Sequence, residues 1–189
     1  RRPARVHEVA AAAVSPEELS RELQKASELI DLGRQDQALA LVAKLLVDAP
    51  GAAASVQVLM GVAHLTSHRS QEAARHAQAA IAAEPDFAPA YSVLGNALQF
   101  SGRHAEAVDA FQRALALEPG LVGAYQVGAQ ALSDLRRPVE ATQWAQAAIA
   151  LDPEDADGHF ALGYVLHDKQ PDAAMAAYAA ALEIDPEHM

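Results

Sequence analysis

Residues 88–121 read APAYSVLGNALQFSGRHAEAVDAFQRALALEPGL, and this stretch decides the fold. Its apolar residues recur three and four apart, which is the period of amphipathic helices. Gly102 marks the turn between two such helices, where glycine ends a helix at little steric cost. Glu118-Pro119 closes the second, because the residue before a proline is pushed out of the α region. The small residues Gly95, Ala97, Ala107 and Ala114 let the two helices approach closely, where larger side chains would hold them apart.

The same pattern returns along the chain. Prolines preceded by acidic or small residues stand at Pro50, Pro85, Pro119, Pro153 and Pro186, spaced 35, 34, 34 and 33. Leu or Met followed by Gly recurs as Met60-Gly61, Leu94-Gly95 and Leu162-Gly163, with Gly128-Ala129 in the fourth unit. Second-helix alanines recur as Ala38, Ala73, Ala107 and Ala141, and again as Ala80, Ala114 and Ala148. Such a period signals hairpins that cannot bury their faces alone and stack on one another. The units are 19–53, 54–87, 88–121, 122–155 and 156–187. The last is one residue short at its inner turn. Residues 1–18 read as a leader that ends in a first-helix cap, with Ser15 as N-cap, Pro16 in the first turn and Glu18 three residues past the cap.

Composition agrees. Of 189 residues, 51% are apolar but only 5% aromatic, and 46 are alanine. That suits closely packed helices and excludes a β-sandwich, which needs β-branched and aromatic residues. The absence of cysteine excludes a disulfide scaffold, a thiolate metal site and a cysteine nucleophile. It fixes no compartment; the cytoplasm is the favoured expectation. A net charge of −11 argues against nucleic-acid and anionic-membrane surfaces. No apolar stretch approaches the ~20 residues of a membrane span, so membrane insertion is not expected. The alanine excess fits a bacterial source with a GC-rich genome. The chain lacks an initiator methionine and reads as a piece of something longer.

At these positions the sequence resembles the tetratricopeptide repeat family. Unit 88–121 carries Tyr91, Leu94, Gly95, Ala97, Leu98, Gly102, Ala107, Phe111, Ala114 and Pro119 at the family's signature places. Unit 122–155 carries Tyr125, Ala129, Ala141, Ala148 and Pro153, and unit 54–87 carries Gly61, Ala73, Ala80 and Pro85. Unit 156–187 keeps Leu162, Gly163, Tyr178, Ala181 and Pro186. Unit 19–53 is weakest, with Ala26, Gly33, Ala38 and Pro50 in place but Lys25 where a large apolar residue is usual. The resemblance implies an all-α fold: an α-solenoid of about five helix-turn-helix repeats forming a right-handed superhelix. It also implies a concave groove lined by the first helix of each unit.

Carrying the family's groove positions across gives, as expected peptide-binding residues, Val58, Val62 and Leu65 in the second unit and Asn96, Gln99 and Phe100 in the third. The fourth supplies Gln130, Ser133 and Asp134; the fifth supplies Phe160, Tyr164, His167 and Asp168, with Asp157 beside them. Lys and Arg are absent from all the positions so derived. A carboxylate clamp of the kind some family members use is therefore not expected; only Asn96 fits its pattern. The groove is expected to be apolar at one end and acidic-aromatic at the other. It suits a helical or extended peptide whose apolar residues seat on the first part and basic residues on the second.

Nothing in the sequence points to catalysis. His64 and His68 are four apart, a spacing two metal ligands on one helix face use, but no Glu lies between them and no third ligand is evident. No metal and no cofactor is expected. The acids at Glu17-Glu18 suit a helix start, and Asp152, Glu154 and Asp155 lie in an inter-unit loop. Trp144, the lone tryptophan, falls on a second helix near the family's aromatic packing place, so a core role is expected. Arg136-Arg137 is too small a patch for nucleic acid.

The last helix, about residues 172–184, bears Met175, Tyr178 and Leu182 on one side with no following helix to cover them, which invites self-association. The expected function is a non-enzymatic scaffold for protein–protein interaction. The alternatives are a docking or regulatory region of a larger enzyme continuing past the C-terminus, for example a transferase, and a self-assembling scaffold.

Overall fold

The computed structural model describes residues 14–187, all-α in architecture. Most of the sequence-assigned leader, together with His188 and Met189, lies outside the described residues. Among the described residues, ten α-helices form five hairpins. They are α1 (Pro16–Asp31) with α2 (Gln35–Asp48), α3 (Ala53–Thr66) with α4 (Ser70–Ala83), α5 (Ala88–Phe100) with α6 (His104–Leu117), α7 (Val122–Asp134) with α8 (Pro138–Leu151), and α9 (Ala156–Leu166) with α10 (Pro171–Ile184). A short 3-10 turn, Pro50–Ala52, precedes α3. There is no strand among the described residues.

Each first helix packs on its own second helix and on the first helices of adjacent units, and from α3 onward also on the preceding second helix, which makes the array a solenoid. The helix starts follow from local chemistry. Ser15 Oγ accepts from the Glu18 N–H at 3.2 Å and Pro16 opens α1, so residues 16–18 are already its first turn. At α6 and α8 an arginine precedes the helix and clasps the glutamate three residues on: Arg103 with Glu106 and Arg137 with Glu140.

The inner turns share one device. Gly33 and Gly102 adopt φ of +70° and +71°, and the residue after each closes a six-residue ring back to the helix, as in Arg103 N–H to the Leu98 carbonyl at 2.9 Å. His68 and Arg136 hold the same left-handed conformation, with φ of 56° and 60°, although neither is glycine. The fifth hairpin, one residue shorter, has no such residue: His167 is right-handed and α9 stops at Leu166.

Packing explains the alanine content. Ala26, Ala38, Ala73, Ala107, Ala141 and Ala161 are wholly buried where helices cross. A Cβ on Gly95 would stand 2.6 Å from the Phe111 ring, and one on Gly163 would stand 2.5 Å from Tyr178. These glycines hold room for the aromatic residue of the facing second helix. Between units, the Tyr91 hydroxyl donates to the Pro85 carbonyl at 2.9 Å, and His159 Nε2 meets the Pro153 carbonyl at 3.1 Å.

His64 departs from the metal-ligand geometry weighed for it. It is buried, and its ring stacks on His76 of α4 at 5.0 Å and 9° instead of pairing with His68, which sits exposed in the turn. His76 Nδ1 meets Gln57 Oε1 at 2.7 Å. No cluster of three or more metal-ligating side chains occurs among the described residues, and no helix there is long and apolar enough to cross a membrane.

Candidate functional site

The first helices place the predicted groove residues in two groups. On α3, Val58, Val62 and Leu65 are each partly buried. Val62 also packs against the cluster of Ile30, Ala38 and Ala63, so part of its surface belongs to the contact between the first two units. On α5, Asn96 Oδ1 is buried with no hydrogen-bond partner among the described residues. Four residues on, Phe100 ends the helix 68% exposed, an unusual position for a phenylalanine. On α7, Gln130 is partly buried.

Towards the C-terminal end, the side chains form a connected network centred on Asp134. Gln99 Nε2 donates to Asp134 Oδ2 at 2.9 Å, and the Tyr164 hydroxyl donates to Oδ1 at 2.7 Å. His104 Nδ1 lies 3.4 Å from Oδ2 and 2.7 Å from Gln99 Oε1. One carboxylate thus joins α5, the start of α6, α7 and α9, that is, three successive hairpins. The hydrogen bond to Asp134, burial and the nearby negative charge push the Tyr164 hydroxyl from 10.0 up to about 12.

Asp168 is also engaged, with Arg136 at 3.5 Å and His167 Nε2 at 2.9 Å. His167 Nδ1 faces the Tyr164 carbonyl at 2.7 Å. Phe160 lies 5.5 Å from Tyr178 in a tilted ring contact, so its ring is shared with the packing of α10. Around Asp134, Tyr164, His167 and Asp168 opens a cleft of about 450 Å³, completed by His104, Ser133 and Arg136.

Of those last three, Ser133 stands in the groove read off the sequence, whereas His104 and Arg136 were absent from it. Ser133 lies on α7, while His104 begins a second helix and Arg136 occupies an inner turn, outside the first-helix register that the family positions follow. They also alter the electrostatics. The acidic end carries Arg136 and two imidazoles beside its carboxylates, and Asp134 spends both oxygens on donors from the protein itself.

The arrangement suits recognition. Its polar groups include a carboxylate that takes a donor on each oxygen, a hydroxyl with a raised pKa, an exposed Arg136–Asp168 pair, Ser133 and the imidazoles of His104 and His167.

Comparison with known proteins agrees with this architecture. The tetratricopeptide repeat family matches residues 58–121 and 128–188, more than half of the chain. No curated protein sequence matches the chain. Among solved structures, a thermophilic tetratricopeptide repeat protein of Thermus thermophilus superposes with a TM-score of 0.77 at 22% identity, over 89% of this chain and 92% of its own. The Pseudomonas aeruginosa protein pilF gives 0.75 at 16% identity, over 89% and 77%. YrrB, a repeat protein with an unusual peptide-binding site, gives 0.63 at 22% identity, over 89% and 87%. At these identities the likeness is one of fold. With the family matched over most of its length, the chain belongs to the tetratricopeptide repeat family.

Proposed function

We propose that this protein is a non-enzymatic scaffold that holds a peptide segment along the face formed by its first helices. The observation that carries the reading is the Asp134 cleft, in which side chains of three successive hairpins converge on one opening of about 450 Å³. A pre-bonded network of this kind loses little freedom when a ligand arrives, which favours binding. Phe100, 68% exposed, supplies an apolar anchor on the same series of helices, with Val58, Val62 and Leu65 extending the apolar part. Asn96 offers a buried acceptor that lacks a donor. The peptide places an apolar side chain on Phe100 and a basic one beside Asp168, where it takes over the exposed 3.5 Å contact made by Arg136. YrrB, with its peptide-binding site, is a precedent on the same fold.

The test is capture of binding proteins by the intact chain and by a variant carrying Phe100→Ala and Tyr164→Phe. Partners held by the groove are lost from the variant. Recovery of every partner by both forms would move the binding surface elsewhere.

A second reading, self-association, is favoured by α10, on which Met175, Leu182 and Ile184 are 63%, 42% and 39% exposed. Sedimentation at rising concentration distinguishes the two: a constant monomer removes self-association.

A further inference from the structure

Beyond that groove, we propose a second docking site: the exposed stripe Met175, Ala179 and Leu182 of α10, which takes a basic helix of a partner polypeptide with small side chains on its contact face. The three residues are four and three apart, so they line one face of the helix. Among the described residues, no helix follows α10 to cover them.

The interior junctions show what shape covers such a stripe. Each earlier second helix is packed under the first helix of the next unit. Where α8 meets α9, a Cβ on Gly158 would stand 3.2 Å from Ile149 Cγ1 and 3.5 Å from the Ile149 backbone nitrogen. In α3, α5 and α7 the place of Gly158 belongs to Val56, Ala90 and Ala124, all buried. On α10, Leu182 is the equivalent of Ile149, and Met175 that of Thr142. Ile149 and Thr142 are half-buried, whereas Leu182 and Met175 are exposed. A helix that covers Leu182 as α9 covers Ile149 presents glycine or alanine at that point, so that the two backbones approach closely.

The chain's own ends fit the stripe less well. At the place of Gly158, α1 carries the exposed Arg21, so head-to-tail stacking of two copies lays a long charged side chain on Leu182. Tail-to-tail stacking is opposed by charge. Residues 156–187 hold six acidic residues against one lysine, and two such ends repel each other. Asp172 stands one turn before Met175, and Glu183 one turn after Ala179, both exposed on the same flank of the stripe. Neither takes part in an ion pair among the described residues. They are eleven residues apart, or about 16 Å along the axis. A partner helix with lysine or arginine at that spacing meets both.

The probe is the acetylated, amidated peptide AKAAAKAAKAAAKAA, titrated into the full isotopically labelled chain and followed by nuclear magnetic resonance. Its outer lysines match the spacing of Asp172 and Glu183, and alanine forms its contact face. One control has glutamate for every lysine. Another has proline for the central alanine, which breaks the helix and keeps the charge. We expect saturable shifts centred on Met175, Ala179 and Leu182. The glutamate control binds weaker by about threefold or more, the scale of exposed ion pairs, and the proline control by about tenfold or more. Leu182→Gln, a change at an exposed position, weakens the probe about threefold or more. Asp172→Asn with Glu183→Gln weakens it about threefold and lessens its sensitivity to salt. Phe100→Ala and Tyr164→Phe, which test the groove, leave it unchanged. Shifts centred on Phe100 and Asp134, equal affinity for all three peptides, undiminished binding by Leu182→Gln, or no saturable binding would each overturn the proposal. So would association of the protein alone that strengthens with salt and is lost in Leu182→Gln, since the occupant would then be a second copy.

Discussion

Trp144 occupies the space that any side chain at residue 128 would need: a Cβ on Gly128 would collide with Cζ3 of the indole and stand 2.5 Å from Cε3. The pair is a compensated shift. In the third and fifth hairpins the glycines Gly95 and Gly163 face Phe111 and Tyr178. In the fourth hairpin both partners have moved one residue towards the N-terminus, glycine from 129 to 128 and the ring from 145 to 144, and alanines fill the vacated places. Because both moved together, the packing between α7 and α8 survives.

Gly128→Ala is therefore expected to destabilise the protein by about 1–3 kcal/mol, the cost of overpacking, despite alanine's better helix propensity. In a Trp144→Ala background, itself less stable, the same glycine substitution should cost less. Urea unfolding of the two single variants and the double variant gives the coupling; additive losses would mean that the two residues are independent.

His68 holds a left-handed backbone that costs a non-glycine residue about 1–2 kcal/mol. Its counterparts Gly33 and Gly102 avoid that cost. His68→Gly should raise stability by about 1 kcal/mol, read as a higher urea midpoint at constant slope. A lower midpoint would show that the turn carries no strain.

Burial holds His64 and His76 below the ordinary value of 6.5; for His64, Arg69 and His76 add repulsion, while Glu72 opposes the shift at both. The unfolded chain, titrating near 6.5, takes up protons before the folded one does. Stability contributed by the neutral pair is thus complete above about pH 6.5 and is lost as pH falls below it. His64 Nδ1, buried without a partner, would carry its new proton into the core with no acceptor. Thermal unfolding from pH 7.5 to 5 should show this decline, and His64→Leu with His76→Leu should flatten it over that interval. An equal decline in both proteins would assign the effect to other groups.

Tyr164 and Asp134 are linked by the 2.7 Å bond that helps raise the phenol to about 12. Asp134→Ala should bring Tyr164 back towards 10 and cost about 1 kcal/mol, the worth of a typical hydrogen bond. Ultraviolet titration of the tyrosines, with Tyr164→Phe identifying the late one, measures it. An unchanged titration would break the link.

The repeat was legible because its markers are backbone and volume constraints: prolines that stop helices, glycines and alanines where helices touch. The alternation of first and second helices followed from the same register. The stacked His64–His76 pair was not legible, since both fall where repeats usually place apolar residues, and sequence gives no sign that two imidazoles face each other across α3 and α4. The Asp134 network hid for another reason. Its bonds join residues 35 and 30 apart, about one repeat, so the register brings Gln99, Asp134 and Tyr164 near one another. Their mutual bonding depends on rotamers, and on His104 and Arg136, which a first-helix register does not contain.

The central claim, that partners lie along the first helices, is tested most directly by site-specific photo-crosslinking. A photoreactive benzoyl-phenylalanine replaces Phe100 in one protein and Val139, 71% exposed at the start of α8, in another. The account predicts that partners crosslink at 100 and not at 139. Crosslinks at 139 with none at 100 would contradict it.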